Sequence, residues 1–169
     1  MKKPLLLVLA FAGLASAHAQ GTLQFTASLN GGNEVPPNSS PYTASGTLTL
    51  DGNLLSYSIG RSGWDFLPTS AGIYGPATQS QNASIIFDLG NYLLSPNPPT
   101  MGYGGAITVT TQQINDLEAG LWYVNWNSSS FPGGEIRGQI IPVPEPSVLA
   151  LLGTGALLAC VFRRRFRRA

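Results

Sequence analysis

Cysteine, histidine and lysine are nearly missing from this chain of 169 residues, and each shortage closes off a class of function. The single cysteine, Cys160, lies in an apolar run near the C-terminus. With one thiol, no disulfide can form within the chain, and the fold has to be held by packing. The single histidine is His18, in an N-terminal leader, so the rest of the chain cannot assemble a Ser-His-Asp or Cys-His arrangement. Lysine occurs only at Lys2 and Lys3, which leaves no amine for Schiff-base chemistry further along. Imidazole sites for copper or zinc lack their ligands, and no Asp-x-Asp-x-Asp-Gly loop is present to bind calcium. The sequence therefore predicts no catalytic residue, no cofactor and no bound metal, and a protein that is not an enzyme.

Charge is scarce as well, at 10% of residues, and it is unevenly placed. The chain sums to +1, yet Lys2, Lys3 and five C-terminal arginines supply most of the positive charge. Between Gln20 and Ile141 only Arg61 and Arg137 stand against Glu34, Asp51, Asp65, Asp88, Asp116, Glu118 and Glu135, a net −5. Nucleic acid is excluded as a partner, because phosphate binding requires a basic stripe. The roughly 120 residues of this middle part suffice for one core and not two.

What is present is concentrated at the two ends. Met1-Lys2-Lys3, an apolar stretch over 5–14 and Ala17-His18-Ala19 follow the order of a secretory signal peptide. Residues 1–19 are read as that signal, cut by signal peptidase after Ala19, with Ala15-Ser16-Ala17 offering a second cut after Ala17. No cysteine follows either site, so a lipoprotein anchor is excluded. At the other end, Val143-Pro144-Glu145-Pro146 precedes a charge-free run over 147–162 and then Arg163, Arg164, Arg165, Arg167 and Arg168. The prolines halt any regular element arriving from the left. Sixteen uncharged residues make a helix of roughly 24 Å, enough to cross a bilayer when the flanking arginines snorkel. Those arginines hold the tail on the cytoplasmic side, so the expected precursor is anchored in the inner membrane.

Over 20–141 the hydrophobic period is two. Leu23, Phe25, Ala27 and Leu29 alternate with polar residues, as in a strand with one buried face. A turn-rich stretch over 30–41 separates it from strands at 43–50 and 53–59, which flank Asp51-Gly52 and form a hairpin. Further strands are expected at 84–88, 105–110, 121–126 and 135–141, about seven in all, with a loop over 89–104. One short helix is expected at 111–119, capped by Thr110 or Thr111, with Ile114 and Leu117 inward and Gly120 as the stop. Short strands, little helix and many turn residues point to an all-β fold, an antiparallel Greek-key or immunoglobulin-like β-sandwich.

The tail, read whole over 142–169, closely resembles the PEP-CTERM sorting signal of exopolysaccharide-producing Gram-negative bacteria. That resemblance implies recognition by an exosortase, a membrane-embedded processing enzyme that acts near Val143, Pro144, Glu145 and Pro146. The middle resembles a CHRD domain. Phe25-Thr26-Ala27-Ser28-Leu29, Gly32-Asn33-Glu34-Val35-Pro36-Pro37 and Ala44-Ser45-Gly46-Thr47 look like its opening. Gly120-Leu121-Trp122-Tyr123-Val124-Asn125 and Gly134-Glu135-Ile136-Arg137-Gly138-Gln139 look like its close. Where many bacterial members carry Ala-His-Ile-His-Gly-Pro-Ala, this chain reads Ala71-Gly72-Ile73-Tyr74-Gly75-Pro76-Ala77, and a third family histidine falls on Asn127. The metal hypothesis those histidines would invite loses its ligands here.

The resulting expectation is an exported structural or adhesive module of the cell surface or extracellular matrix. Two other classes stay open. One is a carbohydrate-binding module of the exopolysaccharide matrix, for which Trp64 and Tyr74 are the candidate ligand contacts because aromatics near loops stack on sugar rings. The other is a small carboxylate-dependent hydrolase or divergent dismutase-like enzyme. A glycosidase-type pair would have to come from Glu34, Asp65, Asp88 and Glu135. Glu135 and Arg137, two apart on one strand, are expected to form an ion pair or cross-strand contact. Trp122, Val124 and Trp126 are expected to face the core, and Tyr123 and Asn125 the opposite side.

Overall fold

A computed structural model describes residues 21–62, 68–90, 93–95 and 100–144. The signal peptide with Ala17 and Ala19, Trp64, Asp65, and the tail from Glu145 onward, including Pro146 and the five arginines, lie outside the described residues. So does the membrane span expected at 147–162. Among the described residues no helix is long and apolar enough to cross a membrane.

The described chain is all-β apart from one short helix and one 3-10 turn. The strands are β1 (Leu23–Asn30), β2 (Thr43–Asp51), β3 (Leu54–Ser62), β4 (Ser70–Tyr74), β5 (Ile85–Asp88), β6 (Leu93–Ser95), β7 (Thr100–Thr108), β8 (Tyr123–Asn127) and β9 (Ile136–Pro142). They hydrogen-bond in the order β5-β4-β8-β9-β1-β2-β3-β7-β6, every neighbouring pair antiparallel. The ladder is thus one continuous nine-stranded sheet among the described residues, where the sequence suggested two separate layers. It curls on itself. Tyr103 of β7 and Trp126 of β8, well separated in the ladder, meet edge-to-face with ring centroids 5.2 Å apart.

The core fills the inside of that curl. Alternation in β1, β2 and β3 sends Phe25, Leu29, Leu48, Leu55 and Ile59 inward, all at most 1% exposed, and their polar neighbours outward. The β2–β3 hairpin forms where expected, although Asp51 is the last strand residue. It pairs with Leu54, and the turn itself is Gly52-Asn53, with Gly52 at φ +58°. The helix α1 spans Thr111–Glu118. Thr110 is its cap, in a reciprocal capping box with Gln113, and Gly120 at φ +68° ends it.

Two strands, β4 and β6, and the first half of β7 were not legible from pattern. Gly72 interrupts β4 and glycines crowd β7, and in a sequence these residues signal turns. In the fold they are places of close approach. A Cβ on Gly72 would lie 2.6 Å from the Ile85 Cδ1, and one on Gly102 would lie 2.9 Å from the Ile59 carbonyl oxygen. β7 therefore begins at Thr100 rather than 105, inside the expected loop over 89–104, and β6 pairs beside it.

The first and last strands lie side by side. β1 pairs with β9, Phe25 opposite Pro142, and the Val143 N–H donates to the Gln24 carbonyl at 2.8 Å. The sheet's hydrogen bonding thus reaches the residue just before Pro144.

Candidate functional site

The face of β4, β8 and β9 that points away from the core carries Tyr74, Tyr123, Asn125, Arg137 and Gln139. In an antiparallel sheet such a face is commonly left to water. Here the β1–β2 connection (31–42) and the β4–β5 connection (75–84) lie over it, so Tyr123, Asn125 and Arg137 are buried. Tyr123 and Asn125 do face away from Trp122, Val124 and Trp126, as alternation requires, but they form a second, polar interior.

Arg137 organises this interior. It is 1% exposed; Nη1 donates to the Asn82 side-chain oxygen at 3.0 Å, and Nη2 donates to the Thr78 and Gln81 carbonyls at 3.1 and 2.8 Å. Its guanidinium lies 3.5 Å from the centroid of the Tyr123 ring. Tyr74 also stacks on Tyr123, at 5.3 Å with an interplanar angle of 13°. Gln139 extends the same hold, donating to the Ala77 and Gly120 carbonyls at 2.9 and 2.7 Å. One cationic fork and one amide therefore tie the 75–84 connection to the sheet.

The 31–42 connection is held from three sides. Asn33 donates to the Ser28 and Arg137 carbonyls, both at 3.1 Å. Asn38 donates to the Gly134 and Glu135 carbonyls at 2.9 and 3.1 Å. Ser40 and Ser128 donate their hydroxyls to the two oxygens of the Glu135 carboxylate, which is 2% exposed. Glu135 therefore bonds to serines, and Arg137 to loop acceptors. Of the two expected outcomes, the ion pair gives way because each side chain has partners in a different loop, whereas a cross-strand contact does form, from Arg137 on β9 to the Tyr123 ring on β8.

Glu34 is the other buried acid. It is 6% exposed, and Oε2 accepts from Asn125 Nδ2 at 3.3 Å, while Oε1 of Glu34 and Oδ1 of Asn125 have no hydrogen-bond partner. Gly134, at φ +141°, leaves room for this carboxyl: a Cβ there would lie 2.6 Å from Oε2. Burial pushes the Glu34 carboxyl up to about 7, against the lowering pull of Arg137 and of the Asn125 hydrogen bond. The neutral acid is the form the fold prefers. Its contribution to stability is full below 4.5 and is lost as pH rises through about 7.

The candidate residues fare unequally. Tyr74 is half-buried, with one ring face already taken by Tyr123. Val143 and Pro144 are exposed at the end of β9. Of the carboxylates, Glu34 and Glu135 come together in the polar interior, whereas Asp88 is exposed on β5 and accepts from the Gly90 N–H. None of the three positions that stand where family histidines are expected carries an imidazole, and the ring of one, Tyr74, is stacked on Tyr123. Gly72 has no side chain and Ile85 fills its space, and the Asn127 amide donates to the Pro132 carbonyl. Among the described residues no three His, Cys, Asp or Glu side chains come together as a ligand group. Sequence reasoning missed Glu34, Asn125, Arg137 and Gln139 as one unit. The available signal was that three motifs read separately each contain a polar residue that this one face gathers.

Fold and polar interior together define a small antiparallel β-domain whose loops are locked onto its outer face. The CHRD domain family model matches residues 25–140, and the chain belongs to that family. Residues 142–168 match the PEP-CTERM protein-sorting motif, which marks an exported protein sorted by the exosortase system of Gram-negative bacteria. No curated protein and no solved structure matches the chain.

Proposed function

We propose that this protein is a non-enzymatic structural or adhesive module, handed by an exosortase to the cell surface or the surrounding polysaccharide matrix. The carrying observation is the join between domain and motif: the last sheet hydrogen bond, Val143 to Gln24, is followed at once by Pro144. A rigid cargo ending directly at a sorting motif suits delivery of a passive building block. The non-enzymatic reading is supported by Glu34 and Glu135, two acids that the fold brings together, which are both buried and bonded to amide or hydroxyl groups.

Substituting Pro144, Glu145 and Pro146 together is expected to leave full-length precursor in the inner membrane. Replacing Arg163, Arg164, Arg165, Arg167 and Arg168 should instead disturb topology. Intact-mass spectrometry of the protein from its host, with and without the exosortase, checks the first, and a reporter fused behind Ala169 checks the second. Surface-exposed protein that still carries its arginine tail would refute exosortase processing.

A second reading, binding of a neutral polysaccharide, is favoured by the outward face of β1, β2 and β3. Thr26, Thr47 and Ser58 stand opposite one another, Ser28 faces Ser45, and all are exposed and uncharged. Such a face offers hydroxyl donors and acceptors without attracting ions. Pull-down on the host's own polysaccharide is expected to weaken on the order of tenfold for Trp64→Ala or Thr47→Lys, a change of about 1.4 kcal/mol. Unchanged retention of both variants would leave the structural role alone standing.

A further inference from the structure

Glu34 and Asn125 are 91 residues apart in sequence and touch through one hydrogen bond, Nδ2 to Oε2 at 3.3 Å. Each also has one buried oxygen without a partner, Oε1 of Glu34 and Oδ1 of Asn125. A carboxylate and an amide oxygen are both acceptors, so no bond can join those two atoms while Glu34 is ionised. One proton changes this. A neutral carboxylic acid presents a donor beside an acceptor, matching the donor and acceptor of a primary amide, and the two groups then close a ring of two hydrogen bonds. A proton on Oε1 would give both orphaned oxygens a partner.

We propose that Glu34 is stored as the neutral acid in a two-point pair with the Asn125 amide, and that loss of its proton releases the 31–42 connection from the sheet. This connection is the strap over the polar interior. Its anchors on the sheet side are Asn33 on the Arg137 carbonyl, Asn38 on the Gly134 and Glu135 carbonyls, Ser40 on Glu135, and Glu34 itself, and from the 75–84 connection Asn82 donates to the Val35 carbonyl at 2.8 Å. Gly134 abuts the Glu34 carboxyl closely enough that a Cβ would clash with it, which leaves little space for the water that an ionised group would require.

The charged and titratable groups facing Glu34 come from the sheet and from the loop before β9. Arg137 on β9 favours the anion, but its Nη1 and Nη2 are committed to Asn82, Thr78 and Gln81. Glu135, just before β9, opposes the anion, and the stacked phenols Tyr74 on β4 and Tyr123 on β8 complete the set. Burial outweighs the pull of Arg137. A module outside the cell thereby acquires a strap that is closed in acidic surroundings and loosens as the pH rises through neutrality.

The test is amide hydrogen exchange of the 31–42 segment in the full chain in detergent, at about pH 5.5 and about pH 8.5, corrected for intrinsic rates. Protection in the wild type is expected to fall on the order of tenfold at the higher pH. Glu34→Gln replaces the acid by an amide with the same donor and acceptor pair and should be equally protected at both pH values. Equal protection of the wild type at both pH values, or the same loss in Glu34→Gln, overturns the proposal. Should Glu34→Gln fail to fold, the wild-type Glu34 carboxyl carbon resonance decides. A midpoint near 7 supports the pair, and a carboxyl already ionised at about pH 5 overturns it.

Discussion

Arg137→Met is expected to lower the unfolding free energy by about 3 kcal/mol while leaving the sheet intact. Methionine keeps an apolar stem against Tyr123, so the loss combines the three hydrogen bonds to Asn82, Thr78 and Gln81 with the cationic contact on the Tyr123 ring. Hydrogen bonds to a charged group contribute about 1.5–3 kcal/mol each, and part of the loss is regained because the freed loop acceptors, exposed in Thr78 and Gln81, return to water. Arg137→Lys should rescue little, since a single ammonium cannot serve three acceptors in a fork and stack flat on Tyr123 at once. Urea unfolding measures the global loss, and limited proteolysis within 75–84 measures the local one. A loss below about 1 kcal/mol would show that this loop is held by other contacts. The same substitution removes the cation that lowers the Glu34 carboxyl, so Glu34 should titrate at still higher pH in that variant.

The second large effect lies on the other side of the sheet. Trp126→Ala should cost about 4 kcal/mol, a large part of the roughly 5–15 kcal/mol that holds a domain of this size together. Trp126 is fully buried, and its ring meets Tyr103 edge-to-face at 5.2 Å. This contact bridges the curl, joining β8 to β7 where no backbone ladder does. The expected signature is a lower urea midpoint together with loss of near-ultraviolet dichroism from the packed aromatics. A destabilisation under about 1.5 kcal/mol would mean that the curl is held by its backbone ladder rather than by this aromatic contact.

Local chemistry made much of the architecture legible. Alternation placed Phe25, Ala27 and Leu29 on the buried face of β1, and a cap at Thr110 or Thr111, which the fold resolves to Thr110, and a stop at Gly120 bounded the helix. The hairpin between β2 and β3 was readable from Asp51-Gly52, shifted by one residue because the pairing of Asp51 with Leu54 extends the ladder. β4, β6 and the first half of β7 were not readable. In β4 and β7 the glycines are required by neighbouring side chains or carbonyls that only the folded sheet brings near, as at Gly72 beneath Ile85 and Gly102 against Ile59. β6 is only three residues long and exists by pairing with β7.

The Gly134–Gln139 stretch shows the division most clearly. As sequence it was a recognisable string from which an ion pair or cross-strand contact was expected. In the fold its residues serve different neighbours. Gly134 makes room for Glu34, Glu135 binds two serines, and Ile136 enters the core. Arg137 and Gln139 hold one loop, and Gly138 accommodates the Ser28 carbonyl. Of the partners bonded to its side chains, the nearest in sequence is Ser128, seven residues from Glu135, and no pattern local to the stretch could name the others.

The amino-acid order alone determined the all-β character, the helix, and the sorting motif, because strand alternation, capping and a linear sorting signal are all written in contiguous stretches of the chain. Tertiary structure alone decided that the sheet's outer face would be closed over, that Arg137 would reach Thr78 across 59 residues, and that Glu34 would meet Asn125 across 91. Such meetings depend on strand register and on which loop crosses which face, and these are set by the packing of the whole sheet rather than by any local run of sequence.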